Sequence, residues 1–291
     1  DASIYANMGE MDNKGVDANL EYQTRIGNKV GLRLFGNLTY SKNKIVFRDE
    51  PAMQYAYQKS EGTRYGEFYG YIAEGYFQSE EEIKKSPRQM RELAPGDIKY
   101  KDLNDDGVID ANDQCYLGKS WFPSWSYGMG FNINYHNFDL ALFFQGVSDV
   151  SIMANGGSID TGNGDWGASG VGIVPFTGMG LNPSNVITKA LDRWTADNPR
   201  ADAWYPRMTA NATTNDNNYV NSTHWLKDGS YLRLKQASLG YTLENKKLMD
   251  KGIEYLYFYL SGQNLLTFSK FKLWDPELGS NGAKYPLSRM V

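Results

Sequence analysis

Residues 127–146 alternate apolar and polar side chains with almost no error, and no other feature of the chain narrows its fold as far. Tyr127, Met129, Phe131, Ile133 and Tyr135 fall on one side of an extended backbone; Gly128, Gly130, Asn132 and Asn134 fall on the other. Successive side chains of a strand point to opposite faces, so the pattern makes a sheet with one apolar face. His136-Asn137 is a tight turn, after which Phe138, Leu140, Leu142 and Phe144 return opposite Asp139 and Gln145. The 127–135 stripe begins and ends in Tyr, as the aromatic girdles of a membrane barrel do.

Two more hairpins follow the same rule. Val16, Ala18, Leu20 and Tyr22 oppose Asp17, Asn19, Glu21 and Gln23; after a turn at 26–29, Val30, Leu32, Leu34, Leu38 and Tyr40 continue the apolar face. The third hairpin joins residues 231–243 to 253–264 through a turn at 244–252, with Leu256, Phe258 and Leu260 on one face of the second arm. Its first arm has two phases. A bulge near Lys235-Gln236 puts Leu232 and Leu234 on the face of Leu239, Tyr241 and Leu243. Alternatively, Arg233 and Lys235 point outward at headgroup level, and this second phase is preferred.

Connections within hairpins are short, whereas those between them, 43–124, 147–229 and 265–285, are long. Short turns at one end and long loops at the other are the pattern of outer-membrane barrels. The fold class expected is therefore all-β: an antiparallel transmembrane β-barrel, with regions 43–124 and 147–229 as extracellular loops. Loop parity keeps residues 66–78 out of the wall despite their strand-like composition. A short helix is expected over 79–85, capped by Ser79 with Glu80, Glu81 and Glu82 at its positive end, and another over 185–194. Six strands cannot close a barrel, since the smallest single-chain ones have about 8. Residues 285–291 read as the start of a seventh, so the chain is expected to be a fragment of a larger barrel, the alternative being that several chains assemble one barrel.

Composition agrees. With 21 Tyr and 30 Gly against 10 Pro, strands and turns are favoured over helices. No run approaches the roughly 18 apolar residues of a spanning helix. The net charge is −4 with Lys and Arg scattered, so no nucleic-acid partner is expected. The lone Cys115 excludes an internal disulfide framework. No signal peptide opens at Asp1, so an exported protein would carry its leader outside this stretch. The only histidines are His136, in a tight turn, and His224. No nucleophile elbow, zinc motif or phosphate loop is found, and an enzyme is not expected.

One segment has the spacing of a metal loop. Asp102, Asn104, Asp106 and Asp110 supply oxygens at positions one, three, five and nine of a twelve-residue calcium loop. Gly107 stands at six, the Val108 carbonyl at seven and Asp113 at twelve. Asp113 replaces the usual Glu and is one carbon shorter, and the flank 96–100 looks extended rather than helical. A solvated, metal-free turn has the same composition, but the ligand spacing favours a structural Ca2+. Cys115 is a packed small residue rather than a ligand, because a thiolate suits a hard cation poorly. The loop tryptophans, Trp121, Trp125, Trp166, Trp194, Trp204, Trp225 and Trp274, are expected to core the loops or to anchor at the interface, with sugar stacking or a partner protein as the alternative.

Taken together, several stretches resemble SusC/RagA-type TonB-dependent transporters. They are residues 96–110 (GDIKYKDLNDDGVID), 66–75 with Phe77, Phe143-Phe-Gln-Gly146, Arg193-Trp-Thr with Asn198-Pro199, residues 228–235 (DGSYLRLK), residues 239–243, Gln263-Asn-Leu265, Asp275-Pro-Glu277 and Tyr285-Pro-Leu287. They cover nearly the whole chain in the family's order. The resemblance implies the C-terminal part, over residues 1–291, of an outer-membrane barrel of about 22 strands from Bacteroidetes-like bacteria. It implies TonB-dependent import of oligosaccharides or oligopeptides, with a SusD-like surface lipoprotein as lid and membrane lipid around the wall. The plug domain and TonB box are not seen in this stretch, and no motif identifies substrate-binding residues. The competing reading is a secreted, calcium-braced β-sandwich with an adhesin or glycan-binding role.

Overall fold

The computed structural model describes residues 8–27, 29–155, 188–208, 216–280 and 287–291. In chain order its elements are β1 (Gly9–Ile26), β2 (Val30–Arg48), β3 (Glu67–Gly70), β4 (Ala73–Tyr76), α1 (Glu80–Lys85), β5 (Ile98–Tyr100), β6 (Cys115–Ser120), β7 (Trp125–Tyr135), β8 (Phe138–Ser148), β9 (Ser151–Met153), β10 (Leu226–Asp228), β11 (Tyr231–Leu243), α2 (Lys246–Met249) and β12 (Leu256–Ser269).

Six long strands form one antiparallel sheet in the order β1-β2-β7-β8-β11-β12. Every neighbour in that sheet is also the next wall strand along the chain, as in an up-and-down barrel. Directly paired residues share a face, so the register can be followed across the wall. Tyr22 faces Leu34, Leu34 faces Phe131, and Phe131 faces Leu142. Leu140 then faces Leu239, which faces Leu260. The apolar face therefore runs unbroken over all six strands. Many of its side chains are exposed in the isolated arc, among them Val16, Leu20, Met129, Phe258 and Leu260. A lipid-facing wall requires such a face; a sandwich would bury it.

Phase in β11 is decided by a bulge. Register shifts between Leu234 and Gln236 against both neighbours: Lys235 is the extra residue against β8, whereas against β12 Asn264 and Leu265 face the single Lys235. Leu232 and Leu234 thereby pair with Phe268 and Leu266 on the apolar face. This corrects the outward placement of Arg233 and Lys235. Arg233 is only 1% exposed and sits on the polar face, ion-paired to a later loop. A guanidinium held by two carboxylates has no reason to reach for headgroups.

The polar face has its own packing. Gly130 lies between Phe35 on β2 and Phe143 on β8 in the same row. The two rings stack with centroids 6.1 Å apart, and a Cβ at Gly130 would stand 2.4 Å from Phe35. Arg33 pairs with Glu21 at 2.8 Å and lies over the Phe35 ring. The tight turn at His136 takes a φ of 52°. Its neighbour Asn137 donates through Nδ2 to the Thr242 carbonyl at 2.7 Å, which ties the turn to β11.

Two further corrections concern the connections. The strand expected from residue 253 begins at Leu256, because α2 and its exit occupy the turn. The helix expected over 185–194 is a single 3-10 turn, Thr188–Leu191. Residues 185–187 lie outside the described residues, and Arg193 bridges Tyr205 in extended form. α1 forms as expected, with the Ser79 side chain accepting from the Glu82 amide. Met290 bridges Gln263 beside β12, where a seventh strand would start.

The wall predicts its own test. In a full-length barrel folded into lipid vesicles, Phe131→Arg, mid-strand on the apolar face, should cost about 2–4 kcal/mol by denaturant titration. Asn132→Arg, one residue along on the polar face, should cost under about 1 kcal/mol by the same measure.

Candidate lumen surface and metal loop

The protein core of this chain lies in its loops rather than in its wall. The described residues of 49–124 and 149–230 pack together around Tyr71, Tyr76, Ile98, Tyr100, Ile109, Met153, Trp194, Tyr205 and Trp225. A buried polar seam crosses between them. The Ile98 amide donates to Asn218 Oδ1 at 2.8 Å, and Asn218 Nδ2 donates to Asp97 Oδ1 at 2.8 Å. Gln89 Nε2 donates to Asn217 Oδ1, and the Tyr100 hydroxyl donates to the Asn217 carbonyl at 2.6 Å. Arg207 completes the seam through an ion pair with buried Asp97. Gly96 has a φ of +92°, and a Cβ there would stand 2.2 Å from Trp194. Only glycine lets that indole close on the seam.

Trp204, Tyr205, Tyr219, His224 and Trp225 stack into one aromatic cluster. Trp194 and Trp225 core the loops as expected, whereas Trp121 and Trp125 remain exposed. Trp166 lies outside the described residues. His224 lies against the Trp204 carbonyl and the Tyr76 hydroxyl. Burial, reinforced by the nearby Lys227 cation, pushes its imidazole down to about 3. It is a neutral core histidine.

A third connection reaches back to the wall. Asp275 caps the 3-10 turn Pro276–Leu278 and accepts from Arg233 Nη2 at 2.5 Å. Glu277 lies 3.7 Å from both Arg233 and Lys235 and accepts from the Tyr231 hydroxyl at 2.9 Å. Phe271 of the same connection packs with Ile152 and Ala154 near β9. The segment thus binds the loop body to the polar face of β11. It is the contact missed by placing Arg233 outward, although the bulge alternative would have located it.

The candidate calcium residues form a loop knitted by its own carboxylates. Asp102 accepts from the Asp105 and Gly107 amides, and Asp106 accepts from the Val108 amide. Asn104 accepts from the Asp106 amide and donates to its carboxylate. Asp110 caps the turn Ala111–Asp113. Asp113 is fully buried and accepts from the Leu103 and Asp110 amides. Asp105 and Gly107 take φ values of 58° and 82° in the sharp bend. Among the described residues no three Asp, Glu, His or Cys side chains converge as a preformed metal cage. The donors are nevertheless all oxygen, at calcium-loop spacing, with lone pairs left on each carboxylate. Cys115 is buried beside them, and burial raises its thiol.

A cavity of about 500 Å³ opens where the loop body meets the wall, lined by Lys119, Asp149, Thr223, Lys227, Asp228 and Ser230 among others. Around it, Arg64 holds Asp149 and the carbonyl of Phe122. Lys227 lies over the Trp204 ring.

Comparison with known proteins agrees with this architecture. No family model matches the chain. It is 27% identical over 290 residues to TonB-dependent receptor P3 of Formosa agariphila, covering 95% of this chain and 26% of that protein. It is 30% identical over 210 residues to TonB-dependent receptor P26 of the same organism, covering 71% of this chain and 18% of that protein. The chain thus spans about a quarter or less of the length of these curated relatives. Among solved structures it superposes on the RagAB peptide transporter with a TM-score of 0.67 at 20% identity, over 99% of this chain and 29% of the other. A RagAB peptide importer in its "closed-closed" state gives 0.67 at 21% identity, over 98% and 29%.

Two measurements check the site. Arg233→Ala leaves two carboxylates facing an emptied position, a loss of about 3–5 kcal/mol for a broken buried pair; hydrogen exchange in 271–280 should accelerate while β7 stays protected. For His224 the folded state refuses the proton that the unfolded chain accepts below about 6.5. Its contribution is therefore intact above that pH and lost progressively as pH falls toward 3. From pH 7.5 to 5 the loop body should lose about 2 kcal/mol, and His224→Gln should flatten this slope in pH-dependent melting.

Proposed function

The chain belongs to the SusC/RagA-type TonB-dependent receptors, and on that premise we propose that it is one arc of a nutrient-import barrel. It lies in the outer membrane and is not an enzyme. The observation that carries the proposal is the single apolar face running across six strands, backed by a face whose paired positions are mostly polar or glycine. A polar lumen inside an apolar belt is what a transport wall requires. In this reading the short turns face the periplasm. The regions 43–124 and 147–229 are extracellular, and the core that their described residues share joins them into one rim. TonB acts through parts of the molecule beyond this wall.

We infer oligopeptides or oligosaccharides as cargo, with a SusD-like lipoprotein seated on the rim. The family resemblance supports both, and the structural likeness to a peptide transporter favours peptides. Cells carrying the full-length protein should take up fluorescent oligopeptides, lose that uptake without TonB, and yield the lipoprotein in stoichiometric amount after mild-detergent purification. Uptake of labelled oligosaccharides instead would redirect the substrate; uptake of neither would overturn import.

The second proposal is structural calcium on the rim, held by Asp102, Asn104, Asp106 and Asp110 with the Val108 carbonyl, and closed by Asp113. Calcium would neutralise a knot of carboxylates and brace the bend between β5 and β6. Calorimetry on the full-length protein should show calcium uptake that disappears in the Asp102→Ala/Asp106→Ala variant. Equal uptake in both proteins would remove the site.

A further inference from the structure

The long-loop edge of the apolar face carries a charge pattern that import does not use. Its last row is Val16 opposite Tyr40 and Tyr40 opposite Trp125, the two rings 4.4 Å apart. One step beyond, on the same face of β1 and β2, Lys14 stands directly opposite Lys42, and Lys44 stands opposite Asp12. All three lysines are exposed. None closes an ion pair within 4 Å among the described residues. Asp12 balances Lys44 in part, and Glu10 follows opposite Phe47 beyond a register shift. Among the described residues the Lys14–Lys42 pair itself has no acid in its row.

Directly opposed side chains have Cβ atoms about 4.5–5.5 Å apart, and like charges there oppose strand pairing. A wall would tolerate that arrangement where an anion lies between the two ammonium groups. The position specifies the anion. These lysines point away from the lumen, just past the aromatic row that marks the hydrocarbon boundary. The neighbour there is the headgroup layer of the membrane. We propose that Lys14 and Lys42, assisted by Lys44, hold a phosphate of an outer-leaflet glycolipid whose acyl chains lie along Val16, Tyr40 and Trp125. The proposal rests on the reading of this chain as an outer-membrane wall with its long loops outside.

The test uses the full-length transporter purified from its own membrane, with co-purified lipid quantified by mass spectrometry. Parent protein and a Lys84→Gln/Lys85→Gln control, altered on α1 in the loop body, should retain phosphorylated glycolipid equally. Lys14→Gln/Lys42→Gln should bind it about 30-fold more weakly, from the usual attraction of two basic side chains to an anionic surface. In a second arm, lipid-stripped protein should be stabilised thermally by diphosphoryl lipid A but not by its dephosphorylated form or by inorganic phosphate. Equal retention by the double variant overturns the proposal, as does equal stabilisation by dephosphorylated lipid. A shift with inorganic phosphate alone assigns a free-phosphate site and overturns the lipid. A protein that retains no lipid of any kind overturns the membrane reading itself, a different failure from loss of the phosphate contact.

Discussion

Everything in this structure depends on keeping one face of a six-stranded sheet apolar from edge to edge. Within lipid every backbone donor and acceptor must find its partner in a neighbouring strand. Side chains then alternate strictly, and a single unpaired residue would turn the rest of its strand inside out. β11 meets that hazard at Lys235. The bulge absorbs the extra residue, and Leu232 and Leu234 stay on the face of Leu239 and Tyr241. It also places Arg233 on the polar side, where Asp275 and Glu277 receive it. One local irregularity thus preserves the lipid-facing surface and fastens a loop to the inner one.

The wall does not bury its apolar side chains in protein, so the conventional core appears elsewhere. It forms where the two longest connections meet, around Tyr100, Tyr205 and Trp225. Connections of this length would be costly to order singly. They share the cost by closing one aromatic cluster and one buried amide seam, in which the Asn217 and Asn218 side chains satisfy both backbone groups of Ile98 and the Asn217 carbonyl accepts the Tyr100 hydroxyl. The result is a rim with its own stability, joined to the barrel through the tops of β8 and β11 and through the segment around Asp275.

Much of this was legible in the chain. Period-two alternation places the six strands and the turn at His136-Asn137. Loop parity keeps residues 66–78 out of the wall, and they do pair outside it, with β5 and β6. Ser79 caps α1 because a hydroxyl before three glutamates suits a helix N-terminus. Other features could not be read locally. A lysine beside a leucine looks the same whether it snorkels or sits in a bulge, and only cross-strand register separates the two. The helix expected over 185–194 gives way to a 3-10 turn and a bridge because Tyr205 pairs with Arg193 from twelve residues downstream. The calcium-type loop was legible as a ligand spacing. That its carboxylates knit the loop through backbone amides, with Asp113 fully buried, was not.

By itself, the sequence determined the strands, their apolar face, the division into short turns and long loops, and the family motifs, because these follow from side-chain alternation and chain connectivity. The tertiary structure alone decided which distant residues meet: Phe35 with Phe143 across Gly130, Arg233 with Asp275, Gly96 with Trp194, and Lys14 with Lys42. Such encounters depend on register and on loop packing. These are set by the sum of contacts across the sheet, and no single stretch of sequence carries that sum.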